Sequence, residues 1–95
     1  MVESQRYAVQ VSRQAQRSLR SLRKDRQLLG RMDRAIRALA LEPRPSGCKK
    51  LVGKQFDNLY RIRVGDWRIL YAIEDDRLVV LILDVVRRDQ AYRAM

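Results

Sequence analysis

The stretch from Leu59 to Ile73, LYRIRVGDWRILYAI, constrains the fold of this 95-residue chain more than any other. Two runs that alternate apolar and mostly basic residues meet there at Gly65-Asp66. A two-residue Gly-Asp connection between alternating runs predicts a tight β-hairpin. With these two residues as the loop, Val64 pairs with Trp67, and the pairing continues outwards along both strands.

The hairpin divides its side chains between two faces, because successive residues of a strand point to opposite sides of the sheet. We interpret one face as core, since it carries only apolar and aromatic residues: Tyr60, Ile62, Val64, Trp67, Ile69, Tyr71 and Ile73. The other face carries Arg61, Arg63 and Arg68. Like charges directly across a ladder are destabilising, so this cluster favours an anion-binding site over three solvated strand positions.

Two amphipathic helices are predicted before the hairpin, after a short first strand at Tyr7 to Val11. Ser12 and Asp25 are of the residue types that cap helix N-termini. The apolar stripe of the first helix is Ala15, Leu19 and Leu22; that of the second is Leu28, Leu29, Met32, Ile36 and Leu39. Two prolines and a glycine between Glu42 and Gly47 end the second helix. A basic loop, Lys49 to Lys54, then leads to the hairpin.

The almost continuously apolar run from Leu78 to Val86 predicts a central strand covered on both faces. With Asp75-Asp76 as the preceding loop, Ile73 would pair with Leu78. The core face would then include Leu78, Val80 and Ile82. The arginine face would include four further apolar residues, covered by the chain's own tail or by a partner: Val79, Leu81, Leu83 and Val85.

These elements predict an α+β fold in a single domain spanning residues 1–95, in the order β-α-α-β-β-β. A helical hairpin would pack on one face of a small, mainly antiparallel four-stranded sheet. The net charge of +10, from 21 Lys+Arg against 11 Asp+Glu, indicates a polyanionic partner: nucleic acid, an anionic membrane or an acidic protein. Because no apolar leader or long apolar run is present, we expect a cytoplasmic protein that does not enter a membrane.

The hairpin, the preceding KKLVG and the following DVVRRDQAYR together resemble the RelE/ParE family of toxins from toxin–antitoxin pairs. The resemblance covers nearly the whole chain and implies one of two activities. RelE-like members are ribosome-dependent endoribonucleases that cut messenger RNA, whereas ParE-like members bind DNA gyrase and do not cleave RNA. Either activity implies a cognate antitoxin protein as partner. A relative that binds nucleic acid or protein without activity is a third alternative.

By the resemblance, the catalytic residues of a RelE-like site are Arg61, Arg63, Arg68, Arg88 and Tyr92. Some members carry lysines at positions 61 and 63, and many carry His at the position of Val86. The chain contains no His, which excludes histidine acid–base chemistry. Since Arg does not release its proton in proteins, we expect guanidiniums to stabilise the transition state while the RNA's own 2′-hydroxyl attacks the phosphate.

Further basic residues are predicted to hold RNA backbone, or alternatively to form a solvated surface: Lys49, Lys50, Lys54 and Arg87. The implied partners are therefore the ribosome and messenger RNA beside the antitoxin. No metal ion or small-molecule cofactor is expected. The lone Cys48 has no accompanying metal-ligand spacing, so we interpret it as inert.

Overall fold

A computed structural model describes residues 6–51 and 58–88 of the chain. The elements in these ranges are β1 (Ala8–Val11), α1 (Arg13–Ser21), α2 (Arg26–Ala38), β2 (Lys49–Lys50), β3 (Leu59–Val64), β4 (Trp67–Glu74) and β5 (Val79–Arg87). The predicted α+β class and the order of the longer elements are confirmed. The predicted count of four strands is wrong. Lys49 and Lys50, expected in a loop, pair with Arg61 and Tyr60 and add a fifth strand.

The sheet is mixed, with the strand order β1-β5-β4-β3-β2. Strand β1 runs parallel to β5, with Ala8 opposite Val79, and the other neighbours are antiparallel. A parallel pair cannot be joined by a tight turn, so the chain must cross over between its strands. Both helices belong to this connection and follow β1 in the chain, before β2 begins the antiparallel part of the sheet.

Both predicted helix caps are present. The Ser12 hydroxyl accepts a hydrogen bond from the Ala15 amide at 3.0 Å, and the Asp25 carboxylate accepts one from the Leu28 amide at 3.1 Å. Each bond satisfies an amide that the first helical turn leaves without a backbone partner. The apolar stripes face the sheet, and their most deeply buried members are Ala15, Met32, Ile36 and Leu39.

The predicted β3–β4 hairpin is confirmed residue by residue, from Val64 opposite Trp67 to Tyr60 opposite Tyr71. The predicted core face packs against the helices. Trp67 is half-buried and the other members are buried: Tyr60, Ile62, Val64, Ile69, Tyr71 and Ile73. The sheet therefore presents the side chains of Arg61, Arg63 and Arg68 on the side away from the helices.

The predicted β4–β5 connection is wrong. Ile73 pairs with Val80 instead of Leu78, and the connecting turn spans four residues, 75–78. Two overlapping backbone hydrogen bonds close it, from the Arg77 amide to the Glu74 carbonyl and from the Leu78 amide to the Asp75 carbonyl. Leu78 adopts a φ of 53°, so it belongs to this turn and not to the core face. Because the shift is by two residues, Val80 and Ile82 still reach the predicted core face.

The placement of Val85 on the arginine face is also wrong. The ladder shifts between Leu70 and Tyr71, which pair with Asp84 and Ile82 respectively. Leu83 is thus the extra residue of a β-bulge, and one extra residue exchanges the two faces for everything that follows. Val85 consequently lies opposite Ile69 in the core and is only 2% exposed.

The bulge is also where α1 is fastened to the sheet. The Ser12 hydroxyl donates to the Leu83 carbonyl at 2.7 Å, and the Ser18 hydroxyl donates to Asp84 Oδ1 at 2.6 Å. On the arginine face, Val86 takes the position opposite Arg68. Val86 and Leu70 are buried there and pack with the partly buried Leu83. Leu81 and Leu83, two of the four apolar residues predicted for this face, remain partly exposed.

Candidate anion-binding site

Two cross-strand pairs of like charge bring four cations together on the arginine face. Lys49 of β2 lies opposite Arg61 of β3, and Arg63 lies opposite Arg68 of β4. All four side chains line one cavity of about 250 Å³, together with Gly47 and Ile62. Among the residues that the structure describes, no carboxylate lines this cavity. The three predicted arginines thus project to the same side of the sheet, as the alternation of the hairpin indicated.

Backbone carbonyls at and beside the Gly65-Asp66 turn accept hydrogen bonds from two of the guanidiniums. Gly65 adopts a φ of 59°, which a residue with a side chain rarely adopts. Its carbonyl accepts a hydrogen bond from Arg63 Nε at 3.1 Å. On the other strand, Arg68 Nη1 donates to the Trp67 carbonyl at 3.2 Å. Each bond occupies one of the five N–H donors of a guanidinium and restricts where the remaining donors can point.

The chemistry of this cavity follows from its side chains. Guanidiniums keep their charge at every relevant pH and match the geometry of phosphate oxygens. Placing them in facing pairs raises the free energy of the empty site through repulsion, which a bound anion relieves. Lys49 differs from the three arginines, because an ammonium can release a proton whereas a guanidinium in a protein does not. The arrangement of the four cations is suited to binding a phosphate.

Of the other predicted site residues, the three that the structure describes do not line this cavity. Arg88 is exposed, and its backbone amide donates to the Asp66 carbonyl at 2.8 Å, so it starts beside the hairpin turn. Arg87 lies opposite Trp67, and Lys50 lies opposite Tyr60. Facing residues share a side of the sheet, which puts both of these cations on the helix-covered side. Tyr92 and Lys54 lie outside the described residues.

The positions of two basic residues, Lys49 among the arginines and Arg31 beside the hairpin turn, were not predicted. Lys49 was assigned to a loop that holds RNA backbone, yet the ladder places it among the arginines. Its position next to Lys50 in a two-residue strand carries too little alternation to indicate a face. Arg31 of α2 reaches the hairpin turn from the other side of the sheet, since a Cβ added to Gly65 would lie 3.3 Å from Arg31 Nη1. No spacing in the sequence pointed to that approach.

A second polar cluster lies at the opposite end of the hairpin and is occupied with holding the fold together. Arg44 binds Asp75 through two nitrogens, at 3.2 and 2.8 Å. Tyr7 donates to Asp75 Oδ1 at 2.7 Å, and Arg44 Nε donates to the Tyr60 hydroxyl at 3.1 Å. The hydrogen bonds from Arg44 and Tyr7 lower the pKa of Asp75 to about 2, while the bond to Asp75 raises the pKa of Tyr7.

Residues 6–51 and 58–88 contain no group of three His, Cys, Asp or Glu side chains that could hold a metal ion. In the same ranges, neither helix has the length and apolar character needed to cross a membrane.

Solved structures provide the first comparison with known proteins. The chain is 31% identical to a chain of the RelBE2 toxin–antitoxin complex from Mycobacterium tuberculosis, with a TM-score of 0.71 over 87% of this chain and 99% of that one. It is also 31% identical to a chain of the archaeal RelE–RelB complex from Pyrococcus horikoshii, with a TM-score of 0.73 over 86% and 94%. The isolated RelE toxin of E. coli shares the fold, at 18% identity and a TM-score of 0.71 over 94% and 99%.

Sequence families provide the second comparison. A search of curated proteins gives no match. The family model described as the ParE toxin of the type II toxin–antitoxin system parDE matches residues 9–92, which is most of the chain. This match agrees with the fold and with the resemblance of the hairpin and its flanking segments. The chain belongs to the ParE toxin family of type II toxin–antitoxin systems, within the RelE/ParE superfamily.

Proposed function

We propose that this protein is a RelE-like endoribonuclease that cuts messenger RNA on the ribosome and so inhibits translation. The observation that carries the proposal is the convergence of Lys49, Arg61, Arg63 and Arg68 on one cavity. Four cations held together by a sheet suit a phosphate whose negative charge grows during reaction. The two relatives at 31% identity come from RelBE2 and RelE–RelB complexes, which supports a RelE-like activity over a ParE-like one.

The proposed reaction needs only the RNA, the protein and water. The 2′-oxygen forms a bond to the adjacent phosphorus, the bond from phosphorus to the 5′-oxygen breaks, and a 2′,3′-cyclic phosphate remains. We assign Arg63 and Arg68 to the scissile phosphate, and Arg61 to the same phosphate or a neighbouring one. Removal of one such oxyanion donor typically lowers the rate about 100-fold to 1,000-fold.

Proton transfer accompanies both bond changes. The 2′-hydroxyl proton leaves to water, and the departing 5′-oxygen must gain a proton. Lys49 is suited to supply it, because its ammonium lines the cavity and the guanidiniums around it do not give up theirs. Arg88, anchored beside the turn at Asp66, would stabilise the charge on the departing oxygen. For Tyr92 the resemblance suggests stacking on a base, since a phenol of ordinary pKa near 10 is a poor base at neutral pH.

The ribosome and an antitoxin are the partners that this function requires. Other basic residues of the chain would hold RNA backbone in a salt-sensitive manner. These are Lys50, Lys54 and Arg87, with Arg17, Arg20, Arg23 and Lys24 around the end of α1. An antitoxin with an acidic, amphipathic segment would cover the cationic cavity and the adjoining sheet face that carries Leu81 and Leu83.

A ParE-like inhibitor of DNA gyrase is the second candidate. The observation in its favour is that the matching family model is that of the ParE toxin, over residues 9–92. A protein that only binds gyrase has no need of four clustered cations, and the cavity therefore favours the nuclease. Gyrase inhibition predicts blocked supercoiling while translation continues.

Both candidates can be tested with one pair of variants. Wild type, Arg68→Ala and the control Arg77→Ala are added to translating ribosomes, and new RNA 5′ ends are mapped. Arg77 is exposed in the β4–β5 turn, where it pairs with Glu74. We expect cleavage by wild type and Arg77→Ala, and a rate at least about 100-fold lower for Arg68→Ala. Absence of cleavage by wild type, together with blocked gyrase supercoiling in a parallel assay, would establish the second candidate instead.

A further inference from the structure

A second cleft lies beside the cationic cavity, on the helix side of the sheet edge. Its volume is about 250 Å³, and it lies between the C-terminal half of α2, the loop 45–47 and strand β3. Most of its walls are apolar and come from Ala35, Ala38, Leu39, Pro45 and Ile62. Ser46 supplies one neutral polar group. The cleft thus has a character opposite to that of the cavity next to it.

The cleft and the cavity share walls. Gly47, Ile62 and Arg63 line both of them. In the described part of the chain, β2 pairs with β3 only at Tyr60 and Arg61, so β2 does not cover the edge of β3 at Ile62. Gly47, with a φ of 91°, meets no atom within 4 Å of an added Cβ. A ligand can therefore extend from the cationic face around this edge into the apolar cleft.

A nucleotide has the matching distribution of chemistry. Its phosphate is anionic, and its base, a short distance away, is flat and has apolar faces. The flat face of Pro45 and the side chains of Ala38 and Ile62 can pack against a base, while Arg63 at the boundary can contact either part. An all-acidic ligand would leave the apolar walls of the cleft unused, and an all-apolar ligand would place no anion against the four cations.

We infer that this cleft receives the base of a nucleotide adjacent to the phosphate held in the cationic cavity. The inference rests on the proposed function and deepens it, because it names the surface that distinguishes one base from another. Walls built from aliphatic side chains and one hydroxyl select by shape and by a single hydrogen bond. The resulting base preference is modest, since shape alone discriminates weakly in apolar pockets.

Nuclear magnetic resonance titration tests the inference without requiring cleavage. The ligand is a 2′-O-methylated trinucleotide, which cannot be cut, and its control is the same backbone without bases. We expect both to shift the side-chain signals of Arg61 and Arg68. Only the ligand with bases should also shift the methyl signals of Ala35, Ala38 and Ile62. We expect the abasic control to bind roughly fivefold or more weakly, the scale of burying a small apolar surface.

A matched pair of variants assigns the effect to the cleft. Ala38→Leu fills it, whereas Ala40→Leu makes the same change two residues later, where residue 40 lines a different groove beside Tyr7. We expect the Ala38→Leu variant to bind the trinucleotide no more tightly than it binds the abasic control ligand. The Ala40→Leu variant should bind both ligands with the affinities of wild type.

Three results would overturn the inference, and they can be told apart. If both ligands shift the same signals with equal affinity, the base lies elsewhere and the phosphate site stands. If the cleft signals move while those of Arg61 and Arg68 do not, the anion site of the proposed function fails as well. If no signal moves, the anion site also fails, and an apolar side chain of a protein partner becomes the better occupant of the cleft.

Discussion

Lys49 lies directly opposite Arg61 across the β2–β3 ladder. Two residues further along β3, Arg63 lies opposite Arg68 of β4. Two facing like-charge pairs in one small sheet oppose folding, because their repulsion is strongest in the empty site. A stretch that served stability alone would place a neutral or acidic residue in one position of each pair. The arrangement therefore indicates a site that is optimised for its bound state, and four predictions follow from it and from the surrounding fold.

Removing one charge from a facing pair should stabilise the free protein. We expect Arg63→Thr to raise the free energy of unfolding by about 0.5 kcal/mol at low salt, within the usual range for cross-strand pairs. Added pyrophosphate should stabilise wild type more than the variant, because an anion bound only by the folded state shifts the equilibrium towards it. Urea denaturation with and without pyrophosphate measures both effects. Arg77→Thr, outside the cavity, should show neither, and equal behaviour of the two variants would refute the prediction.

Replacing Lys49 with arginine should separate binding from proton donation. Lys49→Arg keeps the positive charge opposite Arg61 but cannot release a proton. We expect RNA affinity to change little and the cleavage rate to fall about 100-fold or more, the usual contribution of a general acid. Lys50→Arg, on the other side of the sheet, is the control, and an unchanged rate for Lys49→Arg would remove Lys49 from the mechanism.

The two glycines at positions 65 and 30 should respond oppositely to alanine. Gly65 has a φ of 59°, and an added Cβ would lie 3.3 Å from Arg31 Nη1. We expect Gly65→Ala to cost roughly 1–2 kcal/mol, the usual penalty for a side chain in this conformation. Gly30 lies within α2, and an added Cβ would meet only Arg34 Nη1, at 3.6 Å. Gly30→Ala should therefore stabilise by about 0.5–1 kcal/mol. Thermal and urea unfolding of both variants provide the measurement.

Acid should weaken the fold through Asp75. Its pKa is about 2 in the folded protein because Arg44 and Tyr7 donate to it, against about 3.9 for an unperturbed Asp. A carboxyl whose pKa is lowered by folding contributes stability above its unfolded value, and that stability is lost as pH falls through the folded value. We expect the loss between about pH 4 and pH 2. Asp75→Asn should flatten the stability curve there, whereas Asp76→Asn, at the exposed next position, should keep the wild-type shape.

Local patterns predicted most of the fold. The Gly-Asp turn determined the register of β3 and β4, and the caps at Ser12 and Asp25 marked both helix starts, because each depends on residues close together in the chain. The run from Leu78 to Val86 is apolar at nearly every position. Such a run carries no mark of where a bulge lies, so the change of face at Leu83 could not be predicted from it.

The candidate site was likewise predicted only in part. Arg61, Arg63 and Arg68 belong to one hairpin, and alternation alone placed them on one face. Lys49 joins them through a two-residue strand that is recognisable only from its partner. The apolar cleft is built from three separate segments, with Ala38 and Pro45 meeting Ile62 across the sheet edge. Nothing in any one of these segments indicates that meeting.

The parallel pairing of β1 with β5 has a consequence for how the protein is made. Ser12 bonds to Leu83, 71 positions further along the chain, and Ala8 through Val11 find their ladder partners only in residues 79–82. A growing chain leaves the ribosome from its N-terminus, so the first strand emerges long before the strand beside which it belongs. Completion of the sheet is therefore a late event of synthesis, and a partner that captured the nascent helices could act before the toxin had matured.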